Sequence, residues 1–89
     1  MRIDCHMHVN GGPMHWGWDG NDRIIEAADL LEIDQLCCSI PMVRGMPTMD
    51  EVRACNDAVL EAMRRYPGRI LGYCFVCPGY PGTLDEISR

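Results

Sequence analysis

No apolar run in this sequence approaches the roughly 20 residues that a helix needs to cross a bilayer. The N-terminus carries one arginine but no apolar stretch behind it, and the charge of Asp4 falls too early for a secretory signal. Basic residues are the minority, 8 Lys and Arg against 13 Asp and Glu, so the formal charge is −5 and there is no electropositive footprint for nucleic acid. These absences argue against a membrane or nucleic-acid partner and predict a cytoplasmic protein. A second C-x-x-C is also missing. Cys74 and Cys77 have the spacing, but on a strand it sends the two thiols to opposite faces, which sets a zinc ribbon aside. Six cysteines in 89 residues could be a disulfide framework, yet the expected compartment is a reducing one. Cys37 and Cys38 lie in Leu-Cys-Cys-Ser-Ile, and Cys74 and Cys77 in Tyr-Cys-Phe-Val-Cys, apolar settings in which a free cysteine acts as a small buried hydrophobe. All six are expected reduced, with most of these four buried.

What is present is a chain that is 47% hydrophobic, enough to fold, and long enough for one small domain. Its first nine residues alternate apolar and polar, the period of a strand with two unlike faces. Ile3, Cys5, Met7 and Val9 make one face; Asp4, His6 and His8 make the other. Two imidazoles two residues apart on a strand project to the same side, where both can reach one cation, since a Zn–N bond is only about 2 Å long. The alternative is a pair of half-buried histidines satisfied by backbone. Asp4 shares their face in this reading but sits deeper, as a carboxylate that orients an imidazole rather than a ligand.

A loop from Asn10 to Gly20 follows, rich in glycine and aromatics and long for a strand-to-helix connection. His15 can reach a substrate from it or stand exposed as an ordinary histidine; Trp16 and Trp18 can line a pocket or pack the loop down. Ile24, Ala27, Ala28 and Leu31 then repeat at helical spacing, predicting a helix near Asp22 to Glu32. Leu36 to Ile40, stopped by Pro41, reads as a short buried strand. Arg44, just beyond it, can bind a substrate carboxylate or remain solvated. Thr48-Met49-Asp50-Glu51 is a capping box, and Val52, Cys55, Val59, Ala62, Met63 and Tyr66 form the stripe of the helix it opens. Asn56 falls on that stripe and must be hydrogen-bonded if buried. Glu61 and Arg65 are placed to pair along the helix. Ile70 to Cys77 is nearly continuous in apolar residues, as a parallel strand covered on both faces would be. Thr83-Leu84-Asp85-Glu86 reads as a second capping box, announcing a helix of which only Ile87, Ser88 and Arg89 remain.

Strand, helix, strand, helix, strand and helix start recur at the spacing of βαβ units, which predicts an α/β fold with a parallel sheet. The residues that carry this order also resemble a known family. Asp4-Cys5-His6-Met7-His8 is similar to the D-x-H-x-H opening of metal-dependent amidohydrolases of the amidohydrolase-related group, which are (β/α)8 TIM barrels. Asn56-Asp57, then Tyr66-Pro67-Gly68-Arg69-Ile70 and a segment ending in Val76-Cys77-Pro78, resembles that group's N-D and Y-P-x-R landmarks. The resemblance covers nearly all of residues 1–89 and implies that they are the first three βα units of such a barrel, ending at the start of the third helix.

It further implies His6 and His8 as metal ligands, a divalent metal cofactor, zinc by preference, and a small-molecule substrate. The implied activity is metal-dependent hydrolysis, or in some relatives non-oxidative decarboxylation of an aromatic acid. The remaining ligands would come from later strands. A reading of another class is a non-catalytic truncated remnant of a barrel. One local departure stands out: the turn before the second strand commonly has glycine, and this chain has Glu32-Ile33-Asp34, so a slightly different helix exit is expected. Arg69 and Asn56 are read as structural. Substrate and oligomeric state are not legible in the sequence.

Overall fold

The computed structural model describes residues 1–11, 21–41 and 45–89. In chain order it has β1 (Ile3–His8), α1 (Asp22–Leu30), β2 (Gln35–Ser39), α2 (Met49–Arg65), β3 (Ile70–Gly72) and α3 (Thr83–Ser88). The three strands form one parallel sheet in the order β1-β2-β3. This is a mixed α/β architecture, compatible with part of a repeating βα fold.

The helices cover one side of the sheet. Leu36, Cys38 and Ile40 alternate along β2 and just beyond it, and all three are buried against Ile24 and Ala28 of α1 and Cys55, Val59 and Ala62 of α2. Val9 and Ile70 complete this core. The approach of α2 to β3 is close: a Cβ on Gly72 would lie 2.6 Å from Val59 and 2.7 Å from Met63. Only glycine fits there without a shift of the Val59 and Met63 side chains. The opposite side of the sheet is open, and Ile3, Leu71 and Tyr73 are 47%, 41% and 50% exposed. Among the described residues the third strand is covered on the helix side alone, where its apolar run predicts cover on both.

That strand is also shorter than its apolar run. After Gly72, Tyr73 gives one more ladder bond, its N–H to the Cys38 carbonyl at 2.8 Å. The chain then leaves the sheet because Asn56 claims it. The Asn56 side chain accepts the Phe75 N–H at 2.7 Å and donates to the Phe75 carbonyl at 2.9 Å, supplying what a neighbouring strand would. Asn56 is buried, as its place on the stripe predicts, and it also donates to Glu86 Oε1 at 2.9 Å.

Helix ends follow the sequence in part. The Thr48 box forms, with the Glu51 N–H donating to Thr48 Oγ1 at 3.1 Å and Glu51 accepting the Thr48 N–H at 2.9 Å. The second box does not. Gly82, left-handed at φ 87°, is the N-cap of α3, and Thr83 donates its hydroxyl to the Cys77 carbonyl. Glu86 is drawn instead into a buried cluster with Asn56, Arg89 and Arg53. Its bonds to Arg89 above all, and to Asn56, hold its carboxyl below the usual range against the opposing effect of burial. Glu61 pairs with Arg64 at 3.2 Å rather than with Arg65, whose Nε turns to the Tyr66 hydroxyl.

Helix α1 ends at Leu31 as its C-cap, and Glu32 takes φ 55°. That is the left-handed conformation in which glycine commonly ends a helix, and here a glutamate adopts it. All six cysteines are free. Their burial differs from expectation: of Cys37, Cys38, Cys74 and Cys77 only Cys38 is buried, while Cys74 is exposed because the segment carrying it is not a strand. Cys55, on the stripe of α2, is the other buried thiol. Burial, with Cys37 and Asp4 adding, pushes the Cys38 thiol up to about 12, which keeps it protonated and inert.

Candidate functional site

The site is built on β1, and the geometry of β1 is set by an irregularity. Ile3 and Asp4 stand level with Gln35 and Leu36, but Met7 and His8 stand level with Cys38 and Ser39. Three steps along β1 match two along β2, so β1 carries one extra residue in the Cys5–His6 region, a β-bulge. An extra residue shifts the alternation. Residues in register on adjacent strands point to the same side, so Asp4 lies with the core residue Leu36 on the helix side. Met7 and Val9 return to that side, where both meet the core. His8 lies with Ser39 on the open side.

His6 and His8 come together as the sequence predicts. Their ring centroids are 5.2 Å apart with the planes nearly perpendicular, at 89°. Asp4 does not share their side, which corrects the alternating reading of the strand. Its carboxylate accepts the backbone N–H of His6 at 2.9 Å, so it supports the bulge through the main chain. The residue that orients an imidazole is Ser39, whose carbonyl lies 3.1 Å from His8 Nδ1. A carbonyl can only accept, so Nδ1 is the donor in this contact. In metal-bound histidines, donation from Nδ1 to backbone fixes the ring and goes with ligation through Nε2.

Two residues that the sequence pattern does not single out belong to the same surface. Register places Tyr73 beside Ser39, and Ser39 beside His8, in one row across the C-terminal end of the sheet. The Tyr73 side chain reaches across β2 to donate its hydroxyl to the Cys5 carbonyl at 3.3 Å. The same hydroxyl is hydrogen-bonded with Cys37, and this contact is the first cause that raises its pKa, leaving it a proton donor. The signal for both is positional: each sits at or just past the C-terminal end of a parallel strand, the end outside which ligands bind in α/β sheets.

His15, Trp16, Trp18 and Arg44 lie outside the described residues. Among the described residues no group of three or more His, Cys, Asp or Glu side chains is placed to hold a metal ion, and no helix is long and apolar enough to cross a membrane. Comparison with family models, with curated proteins and with solved structures returns no match to this chain.

Proposed function

We propose that residues 1–89 are the opening β-α-β-α-β portion of a (β/α)8 barrel of the amidohydrolase-related group, and that the barrel carries out metal-dependent hydrolysis of a small carbonyl-type substrate. The observation that carries this reading is the histidine pair: two imidazoles side by side at the C-terminal end of β1, with the His8 ring held by the Ser39 carbonyl. Active sites of such barrels gather at that end of the strands. The open side of the sheet, bearing Ile3, Leu71 and Tyr73, is the side that would face the barrel interior in this reading.

The donor set fits a divalent cation such as zinc in part. His8 and His6 stand side by side; a catalytic zinc takes three protein ligands and keeps one position for water. In this reading the further ligands come from strands beyond Arg89. The cation, when bound, supplies Lewis acidity, bringing the pKa of water down towards about 7 and polarising a carbonyl. This chain's own share is to hold two imidazoles at a fixed separation, one of them tied to a backbone carbonyl.

The reading is tested on two lengths of the same chain. The chain extended past Arg89 in its own frame turns over amide or ester substrates with zinc, and His6→Ala or His8→Ala abolishes that turnover. Residues 1–89 alone bind zinc weakly, with fast exchange, and give no turnover. A stop codon directly after Arg89 would instead favour the non-catalytic remnant. Turnover by residues 1–89 that His8→Ala removes would mean that a second copy completes the site.

A further inference from the structure

The bulge in β1 leaves main-chain groups without ladder partners, because an extra residue cannot pair with β2. Two side chains stand in. Asp4, from the helix side of β1, accepts the His6 N–H at 2.9 Å. Tyr73, arriving from β3 across the open side, donates to the Cys5 carbonyl at 3.3 Å. The N–H of His6 and the C=O of Cys5 belong to the same peptide unit. That one peptide, the unit directly before His6, is thus gripped at both ends by side chains from two different strands.

The orientation of this peptide decides where the His6 ring goes. Without a bulge, Asp4, His6 and His8 would share one side by alternation. With it, Asp4 is on the helix side and the two rings still meet at 5.2 Å on the open side. We infer that Tyr73 is a positioning residue for the histidine pair: its hydroxyl fixes the Cys5–His6 peptide and thereby the approach of the His6 ring to His8. The raised pKa of Tyr73 keeps the donor protonated through neutral pH. Cys37 is the other group within reach of the same hydroxyl, and the contact to the Cys5 carbonyl is the one that bears on the His6 peptide.

The inference rests on the metal reading for its purpose but not for its geometry. The experiment separates the two. In residues 1–89, proton NMR reads the cross-relaxation between the His6 and His8 ring protons, and a zinc titration reads affinity. Tyr73→Phe keeps the ring and removes only the hydroxyl. It is expected to leave amide dispersion intact, to weaken the inter-ring cross-peak, and to lower zinc affinity by about tenfold, the lower end of what loss of an outer partner of a metal ligand costs. Asp4→Ala, which releases the other end of the peptide, is expected to do the same and serves if Tyr73→Phe does not fold. Cys37→Ala leaves the Cys5 contact in place and should leave the cross-peak unchanged. Loss of the cross-peak in Tyr73→Phe, from a wild type that binds no zinc, upholds the positioning role and overturns the metal reading. An unchanged cross-peak and unchanged affinity in Tyr73→Phe overturn the positioning role.

Discussion

The two ends of the sheet are finished in opposite ways. At the N-terminal end, the residues just before the three strands are Arg2, Asp34 and Arg69, and they tie one another down. The Arg2 N–H donates to Asp34 Oδ2 at 2.7 Å, and the Asp34 N–H returns to the Arg2 carbonyl at 2.9 Å. Arg69 donates Nε to the Asp34 carbonyl at 2.9 Å and pairs with Asp29 of α1 at 2.7 Å. At the C-terminal end, the row is His8, Ser39 and Tyr73, with His6 beside it. There the polar atoms hold rings and a single peptide in place instead of cross-linking elements. One end is arranged to keep three strands and a helix together. The other brings two imidazole rings together on the open side of the sheet. The difference teaches where to look for function in a short parallel sheet: charge that is fully engaged is scaffold, and imidazole held by backbone is a candidate for chemistry.

Four substitutions sharpen that contrast. The largest effect on stability is expected away from the histidines, at Asn56→Ala. It strands the half-buried Phe75 N–H and C=O and one side of the buried Glu86, and with unsatisfied groups costing about 1–3 kcal/mol each when buried, a loss of about 2–3 kcal/mol should appear as a lower urea midpoint. At the N-terminal end, Arg69→Ala removes the tie to Asp34, Asp29 and the Ile33 carbonyl. Because the guanidinium is partly solvated, about 1–2 kcal/mol is expected in the same assay. His6→Ala, at the other end, should change stability by no more than about 0.5 kcal/mol, as exposed positions do. A His6→Ala cost equal to that of Arg69→Ala would erase the distinction between the two ends. The fourth effect has the opposite sign and is a gain. Glu32 occupies the left-handed region at φ 55°, where a non-glycine residue carries roughly 1–2 kcal/mol of strain. The Arg2–Glu32 pair, 3.9 Å apart and exposed, offsets little of it. Glu32→Gly should raise stability by about 1 kcal/mol, read as a higher thermal midpoint.

The sequence made the long elements plain and hid the details that shape the site. Helix α2 was legible twice over, from its stripe and from the Thr48 box, and both hold. The pairing of His6 with His8 was legible from spacing alone. The bulge was not, because β1 alternates without interruption and an extra residue leaves no mark in a pattern of period two. Asp4 is misassigned by alternation for that reason. The third strand is overextended in the sequence because Tyr73, Cys74, Phe75, Val76 and Cys77 are good strand residues, and nothing local announces that Asn56, nineteen positions earlier, will take the Phe75 backbone. The second capping box fails by the same kind of competition: Thr-x-x-Glu is a local signal, and Glu86 answers to a non-local one.

The brevity of β3 has a consequence for encounters with other chains. An outer strand is a template on which a stray strand can add, and the hazard grows with its length and regularity. Here β3 offers three residues before Asn56 draws the chain aside, and β1, the other outer strand, is interrupted by its bulge and begins beside the charge of Arg2. Neither edge presents a long, even ladder. Among the described residues, then, the two outer strands give an unrelated extended segment little to hold.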